Sequence, residues 1–186
     1  MQTKELNNIH RMYYVAVVCP PEIDEKVLQY KHWMRQRFGC KAALKSPAHL
    51  TLIAPFWLEE ELEQTLKETT KQFQTELLPF EIRLNNFDHF SNRVLFVHTE
   101  ANESLARLQF ETTEHFQQQF PAAVKTDNRP FHPHVTIANR DMSPSAFLKA
   151  WEHFSKEDYA ASFIADQISL LKLQEGKWHV IEEKKF

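Results

Sequence analysis

His49-Leu50-Thr51-Leu52 and His134-Val135-Thr136-Ile137 are two copies of one pattern, His-x-Thr-x with an apolar residue at each x. Each opens a stretch whose aliphatic and β-branched content suits a strand. Successive side chains of a strand alternate between its faces, so His and Thr share one face while the two apolar residues anchor the other in a core. Each strand then presents an imidazole beside a hydroxyl. A lone histidine at a strand start is usually structural, and threonine is ordinary in strands because it is β-branched. The matched pair, one copy in each half of the chain, points instead to function.

The remaining elements follow outward from these motifs. Residues 12–19 form an aromatic and β-branched run that ends at Pro20-Pro21, which cannot continue a ladder, so a central strand is expected there. In 22–38, Ile23, Val27, Tyr30, Trp33, Met34 and Phe38 recur at helical spacing, and Gly39 stands where a left-handed cap belongs, making this the covering helix of that strand. A strand over 49–55 leads into an acidic helix over 59–74, whose Glu-rich first turn suits the positive end of the helix dipole. Residues 80–90 and 93–99 read as a hairpin turning at Ser91-Asn92, 102–120 as a helix stopped by Pro121, 125–133 as a polar loop and 134–139 as the second motif strand. Ser143-Pro144 opens a helix through Ala146, Leu148, Trp151 and Phe154, with Ser as N-cap and Pro at the first helical position. A closing hairpin joins 163–174 to 178–183 across Glu175-Gly176. This order repeats itself roughly once with no low-complexity linker, so a single domain, 1–186, of two lobes sharing a cleft is expected.

Composition narrows the function. With 186 residues and 42% apolar content the chain can bury a sizeable core. Only 2 glycines argue against a P-loop or dinucleotide cradle, whose backbone conformations need Gly. A net charge of −3, from 22 basic and 25 acidic residues, gives no field to draw the protein onto long polyanions; a nucleic-acid substrate should be short or an end. Cys19 and Cys40 form neither a disulfide framework nor a zinc-ligand spacing and are expected as reduced, buried thiols. The apolar run near the start is too short for a membrane span and lacks the flanks of a signal peptide. A cytoplasmic monomer without membrane contact is the expectation.

Two His-Thr pairs suit phosphodiester hydrolysis. The reaction needs a base to take a proton from water and an acid to protonate the departing alkoxide, and imidazole titrates where it does either. Two threonine hydroxyls can hydrogen-bond the non-bridging oxygens, and an imidazolium adds positive charge there, so no metal and no organic cofactor is required. A strained cyclic phosphate eases departure of the leaving oxygen further.

On His49-Leu50-Thr51-Leu52, on Pro133-His134-Val135-Thr136-Ile137-Ala138 and loosely on the strand from Tyr13 to Pro20, the chain resembles the two-histidine phosphoesterase superfamily, which includes bacterial 2′-5′ RNA ligases acting as RNA 2′,3′-cyclic phosphodiesterases. The resemblance implies an α+β fold, bilobal and pseudo-twofold, with an antiparallel sheet in each lobe, flanking helices and an active-site cleft between lobes. It implies His49 as the acid at the leaving oxygen, His134 as the base for water, and Thr51 and Thr136 on phosphate. It also implies an RNA terminus or a small nucleotide cyclic phosphate as substrate, and reversible 2′-5′ joining as a side activity. One departure stands out: many relatives carry Arg five residues after the second His, where this chain has Asn139, with Arg140 next.

Supporting residues divide between binding and bland roles. Arg140 contacts phosphate or faces solvent, and the sequence leaves both open. Lys45 is a further candidate phosphate ligand. Lys125, Arg129, Phe131 and His132 lead into the second motif, offering cations for phosphates and an aromatic face for a base, with Phe131 equally suited to packing. Phe56 and Trp57 read as core before cleft. His132-x-His134 with His49 lacks the Cys or acidic partner expected of zinc. Two other classes compete with hydrolysis: a module that captures RNA ends without turnover, and a metallo-phosphoesterase that a chelator would inactivate.

Overall fold

The computed structural model of the chain describes residues 9–126 and 129–186. The polar lead-in over 1–8 and Asp127-Asn128 of the loop before the second motif lie outside the described residues. Among the described residues the fold is α+β. The first antiparallel sheet contains β1 (His10–Val18), β2 (His49–Glu59), β7 (Gln167–Gln174) and β8 (Lys177–Lys185), in the order β2-β1-β7-β8. The second contains β3 (Phe80–Phe90), β4 (Val94–Thr99), β5 (His134–Ala138) and β6 (Ala160–Ala165), in the order β5-β4-β3-β6. The two motif strands, β2 and β5, are thus each at the edge of a sheet, beside a central strand, and they meet one another across the molecule.

Helices α1 (Pro21–Phe38), α2 (Glu63–Gln72), α3 (Glu103–Gln119) and α4 (Pro144–Phe154) flank the sheets. Helix α1 ends at Gly39, whose φ of 74° places it in the left-handed region and turns its N–H onto the Arg35 carbonyl. The Asn102 side chain caps α3 by accepting from the Leu105 N–H, and Ser143 caps α4 by accepting from Ala146.

The helices interlock the two sheets. Helix α1 follows β1 in sequence yet packs on β5 of the other sheet, and Tyr30 docks edge-on against Phe87 of β3 and Phe154 of α4. Helix α3, which links β4 to β5, packs on β2 of the first sheet, where Gln109 Nε2 donates to the Leu52 carbonyl. The expectation that α1 covers its own strand's sheet therefore holds only in part. One buried cluster runs through both sheets, including Leu50, Leu52, Val135 and Ile137 from the backs of the motifs.

Three further boundaries differ from those expected. Strand β2 continues through Pro55 to Glu59, a 3₁₀ turn occupies 60–62, and the acidic helix starts only at Glu63. Pro55 is tolerated because β2 is an edge strand: the register passes from Val15↔Ile53 to Tyr13↔Phe56, so exposed Ala54 and Pro55 bulge together opposite Tyr14. The segment expected as one strand of the closing hairpin is two strands, β6 and β7, divided at Asp166 and belonging to different sheets. The β7–β8 turn at Glu175-Gly176 is as expected, both residues having positive φ. Phe56 is buried, but Trp57 is exposed, because the bulge sets the alternation beyond it. Both cysteines are free and buried, with burial pushing the Cys19 thiol up to about 12.

Candidate active site

Strand register builds the site. In the first sheet His49 lies opposite Val18 and Thr51 opposite Ala16; in the second His134 lies opposite His98 and Thr136 opposite Phe96. Directly opposed residues share a face, so each His-Thr pair stands on a surface completed by its neighbouring central strand. Leu50, Leu52, Val135 and Ile137 are all buried on the reverse faces, as alternation requires.

Each imidazole rests against aromatic rings. The Tyr14 ring is 4.8 Å from His49, and Trp178 meets Tyr14 edge-on at 4.6 Å. Tyr14, Ala16 and Leu171, with Val18 and Trp178 at the margin, form a small apolar floor separate from the main core. In the other sheet Phe90 and Phe96 both lie 4.9 Å from His134. These rings immobilise the histidines and exclude water from one side of each.

The two motifs hold their histidines by the same hydrogen bond. Nδ1 of His49 lies 2.8 Å from the Pro47 carbonyl oxygen, and Nδ1 of His134 lies 2.8 Å from the His132 carbonyl oxygen. A carbonyl only accepts, so Nδ1 carries the proton in both rings and Nε2 is left to meet a substrate. Burial pushes the His49 imidazole down to about 4; the bond to Pro47 opposes this, and the nearby charges of Lys31 and His134 reinforce it. Burial also lowers His134, opposed by its bond to His132 and reinforced by the His132 ring. Burial thus disfavours a charge on either ring, and the displacement is the larger on His49.

A cavity of about 580 Å³ is lined by Thr51 of the first motif and His134 of the second, though not by His49 or Thr136, with Phe90, Lys125, Arg129, Phe131 and His132 around them. The expected loop residues Arg129 and Phe131 are thus gathered beside the motifs. Arg140 is not among them. It lines a different cavity with Arg93, Asn92 and Asn139, at the far end of β5. Lys45 is exposed at the end of the 3₁₀ turn Ala42–Lys45 and lines neither cavity. A depression between α1 and α4, lined by Trp33, Arg37, Lys149 and Glu152 among others, contains no motif residue. Among the described residues no three His, Cys, Asp or Glu side chains are grouped to hold a metal ion.

Sequence reading missed several neighbours of the site. His98, cross-strand from His134, has a buried Nδ1 without a hydrogen-bond partner among the described residues. Tyr14 was hidden in a uniformly apolar run, and its facing is legible only once β1 and β2 are in register. Lys31 carried a visible signal, since it falls on the apolar stripe of α1 with Ile23, Val27 and Met34.

Comparisons with known proteins agree with this architecture. The profile of the 2′-5′ RNA ligase superfamily matches residues 19–177. A Bacillus subtilis protein named RNA 2′,3′-cyclic phosphodiesterase is 25% identical over 179 residues, which cover 89% of this chain and 90% of that protein. The fold is similar to the crystal structure of Escherichia coli LigT complexed with 3′-AMP, with a TM-score of 0.65, 20% identity, and coverage of 94% of this chain and 97% of that one. It is similar also to a Thermus thermophilus protein, with a TM-score of 0.64, 21% identity, and coverage of 93% of this chain and 96% of that one. Because the superfamily profile matches well over half of the chain, this chain belongs to the 2′-5′ RNA ligase superfamily.

Proposed function

We propose that the protein is a metal-independent phosphodiesterase that hydrolyses the 2′,3′-cyclic phosphate of an RNA end or a small nucleotide. The observation that carries this reading is the joining of Thr51 and His134 in one cavity, with a cationic and aromatic rim beside them. One neutral imidazole takes a proton from water as the water oxygen bonds to phosphorus. The bond from phosphorus to one ribose oxygen breaks, and the other imidazole, which enters the reaction protonated, delivers its proton to that oxygen, leaving a ribose phosphomonoester. Thr51 and Thr136 donate to the non-bridging oxygens as charge builds on them. Resemblance assigns His49 as acid and His134 as base; the larger downward displacement of His49 favours the reverse. A bound phosphate anion raises both groups, and reversal of the reaction exchanges their roles.

Arg129 and Phe131 are assigned to the nucleoside and its phosphates on the cavity wall, and Lys45 and Arg140 to more distant phosphates of a longer strand. The location in the cytoplasm and the monomeric state belong to the same proposal.

The test is hydrolysis of the four nucleoside 2′,3′-cyclic phosphates and of a cyclic-phosphate-ended oligonucleotide, with chelator present throughout. The intact protein is expected to turn over at least one of them. His49→Ala and His134→Ala each lose about a thousandfold or more in kcat while keeping the wild-type circular dichroism spectrum. An intact protein that binds these ends without cleaving them would instead be a binding module, and loss of turnover with chelator would point to a metal enzyme.

A further inference from the structure

Among the described residues two lysines are buried, and they are treated differently. Lys172 of β7 is ion-paired with Glu60 and Glu63, which accounts for its burial. Lys31 of α1 is 2% exposed and has no carboxylate within ion-pair distance among the described residues. It occupies a position of the helix stripe that any aliphatic residue would fill. An unpaired buried ammonium is costly, so its presence calls for a reason beyond packing.

Its hydrogen bond supplies the reason. Lys31 Nζ donates to the Ser46 carbonyl at 2.9 Å, three residues before His49. Two other groups fix the same segment: the Asp24 carboxylate accepts the Ala48 N–H at 2.6 Å, and the Cys19 N–H donates to the Ala48 carbonyl at 2.9 Å. The carbonyl between them, that of Pro47, is the one that orients the His49 ring. Helix α1 thereby holds the backbone from which the first histidine hangs. Nothing equivalent backs the second motif, since no lysine besides these two is buried among the described residues.

We propose that Lys31 is a positioning residue for His49, which pins the 46–48 backbone so that the Pro47 carbonyl meets Nδ1 and the ring keeps a fixed orientation. The role in turnover rests on the phosphodiesterase reading; the hold on the His49 ring does not. The groups facing His49 are Lys31 from α1, His134 from β5 and the Tyr14 ring from β1. Those facing Lys31 are Asp24 of its own helix and Cys19 after β1. Burial lowers the Lys31 ammonium to about 8, with Asp24 and Cys19 opposing, so it keeps its charge at neutral pH.

The experiment is a histidine titration by long-range proton–nitrogen NMR on the wild-type protein and on Lys31→Met, with His49 assigned by its absence in His49→Asn. The His49 midpoint is expected to move in Lys31→Met, upward where loss of the charge dominates and downward where loss of the Pro47 bond does, and kcat/KM to fall about tenfold or more as the ring loses its fixed orientation. An unmoved midpoint in a folded variant, with kcat/KM kept, overturns the proposal. Should Lys31→Met not fold, the carbon resonance next to the Lys31 amine is followed in the wild-type protein. A step at the His49 midpoint supports the proposal, and a flat trace overturns it. Neither titration requires turnover, so failure of the phosphodiesterase reading leaves this test intact.

Discussion

The two catalytic candidates are chemically identical side chains in matched backbone positions, and their environments separate them. His49 is pushed to about 4 by burial, with Lys31 and His134 adding; His134 is lowered by burial, with His132 adding, from an ordinary value of 6.5. Because kcat/KM reports the free enzyme, its acid limb follows His49 and its alkaline limb follows loss of the proton from His134. Activity is therefore expected to be greatest on the acid side of neutrality and to decline as pH rises through the neutral range. A kcat/KM profile that climbs into the alkaline range would overturn this ordering. Stability shares only the acid limb. The folded state resists protonation of His49 more than the unfolded chain does, so stability is whole above 6.5 and is lost as pH falls toward about 4. His49→Asn removes that loss, which urea titrations across this range would register as a flatter acid limb.

Helix caps allow a control that separates stability from chemistry. Asn102 accepts the Leu105 N–H at 2.9 Å and donates to the Glu81 carbonyl at 2.8 Å, tying α3 to β3 away from the motif strands. Asn102→Ala is expected to cost about 1–2 kcal/mol, seen as a lower urea midpoint at unchanged slope, with turnover unaffected. Sequence placed Asn102 inside the helix and not at its cap, whereas Gly39, Ser143 and the alternation in both motifs were readable, because each is a local pattern with one dominant physical cause. The end of β2 was not. Glu59, Glu60 and Glu61 suit a helix start, and only the pairing of β1 with residues as far as Glu59 keeps the chain extended there. Nor could alternation divide β6 from β7, since the pattern states which side chains point inward and not which sheet receives them. Lys31 broke the stripe of α1 visibly, but its meaning required the Ser46 carbonyl to be in place.

At the scale of the molecule, the exchange of helices between sheets binds the site together. Helix α1 lies between β1 and β2 in sequence but packs on β5, and α3 lies between β4 and β5 but packs on β2. Each motif strand is thus braced by a helix from the other half, and the aliphatic backs of both motifs enter one buried cluster. Separating the halves would strip both β2 and β5 of a covering helix and expose Leu52 and Ile137, so neither half retains a closed core alone. The chain is accordingly expected to unfold as one cooperative unit despite its two sheets, with calorimetric and van't Hoff enthalpies in agreement. A calorimetric trace resolved into two transitions would mean that the lobes hold themselves independently. The relative placement of His49 and His134 would then depend on a hinge, whereas a single transition means that whatever unfolds one motif dismantles the other.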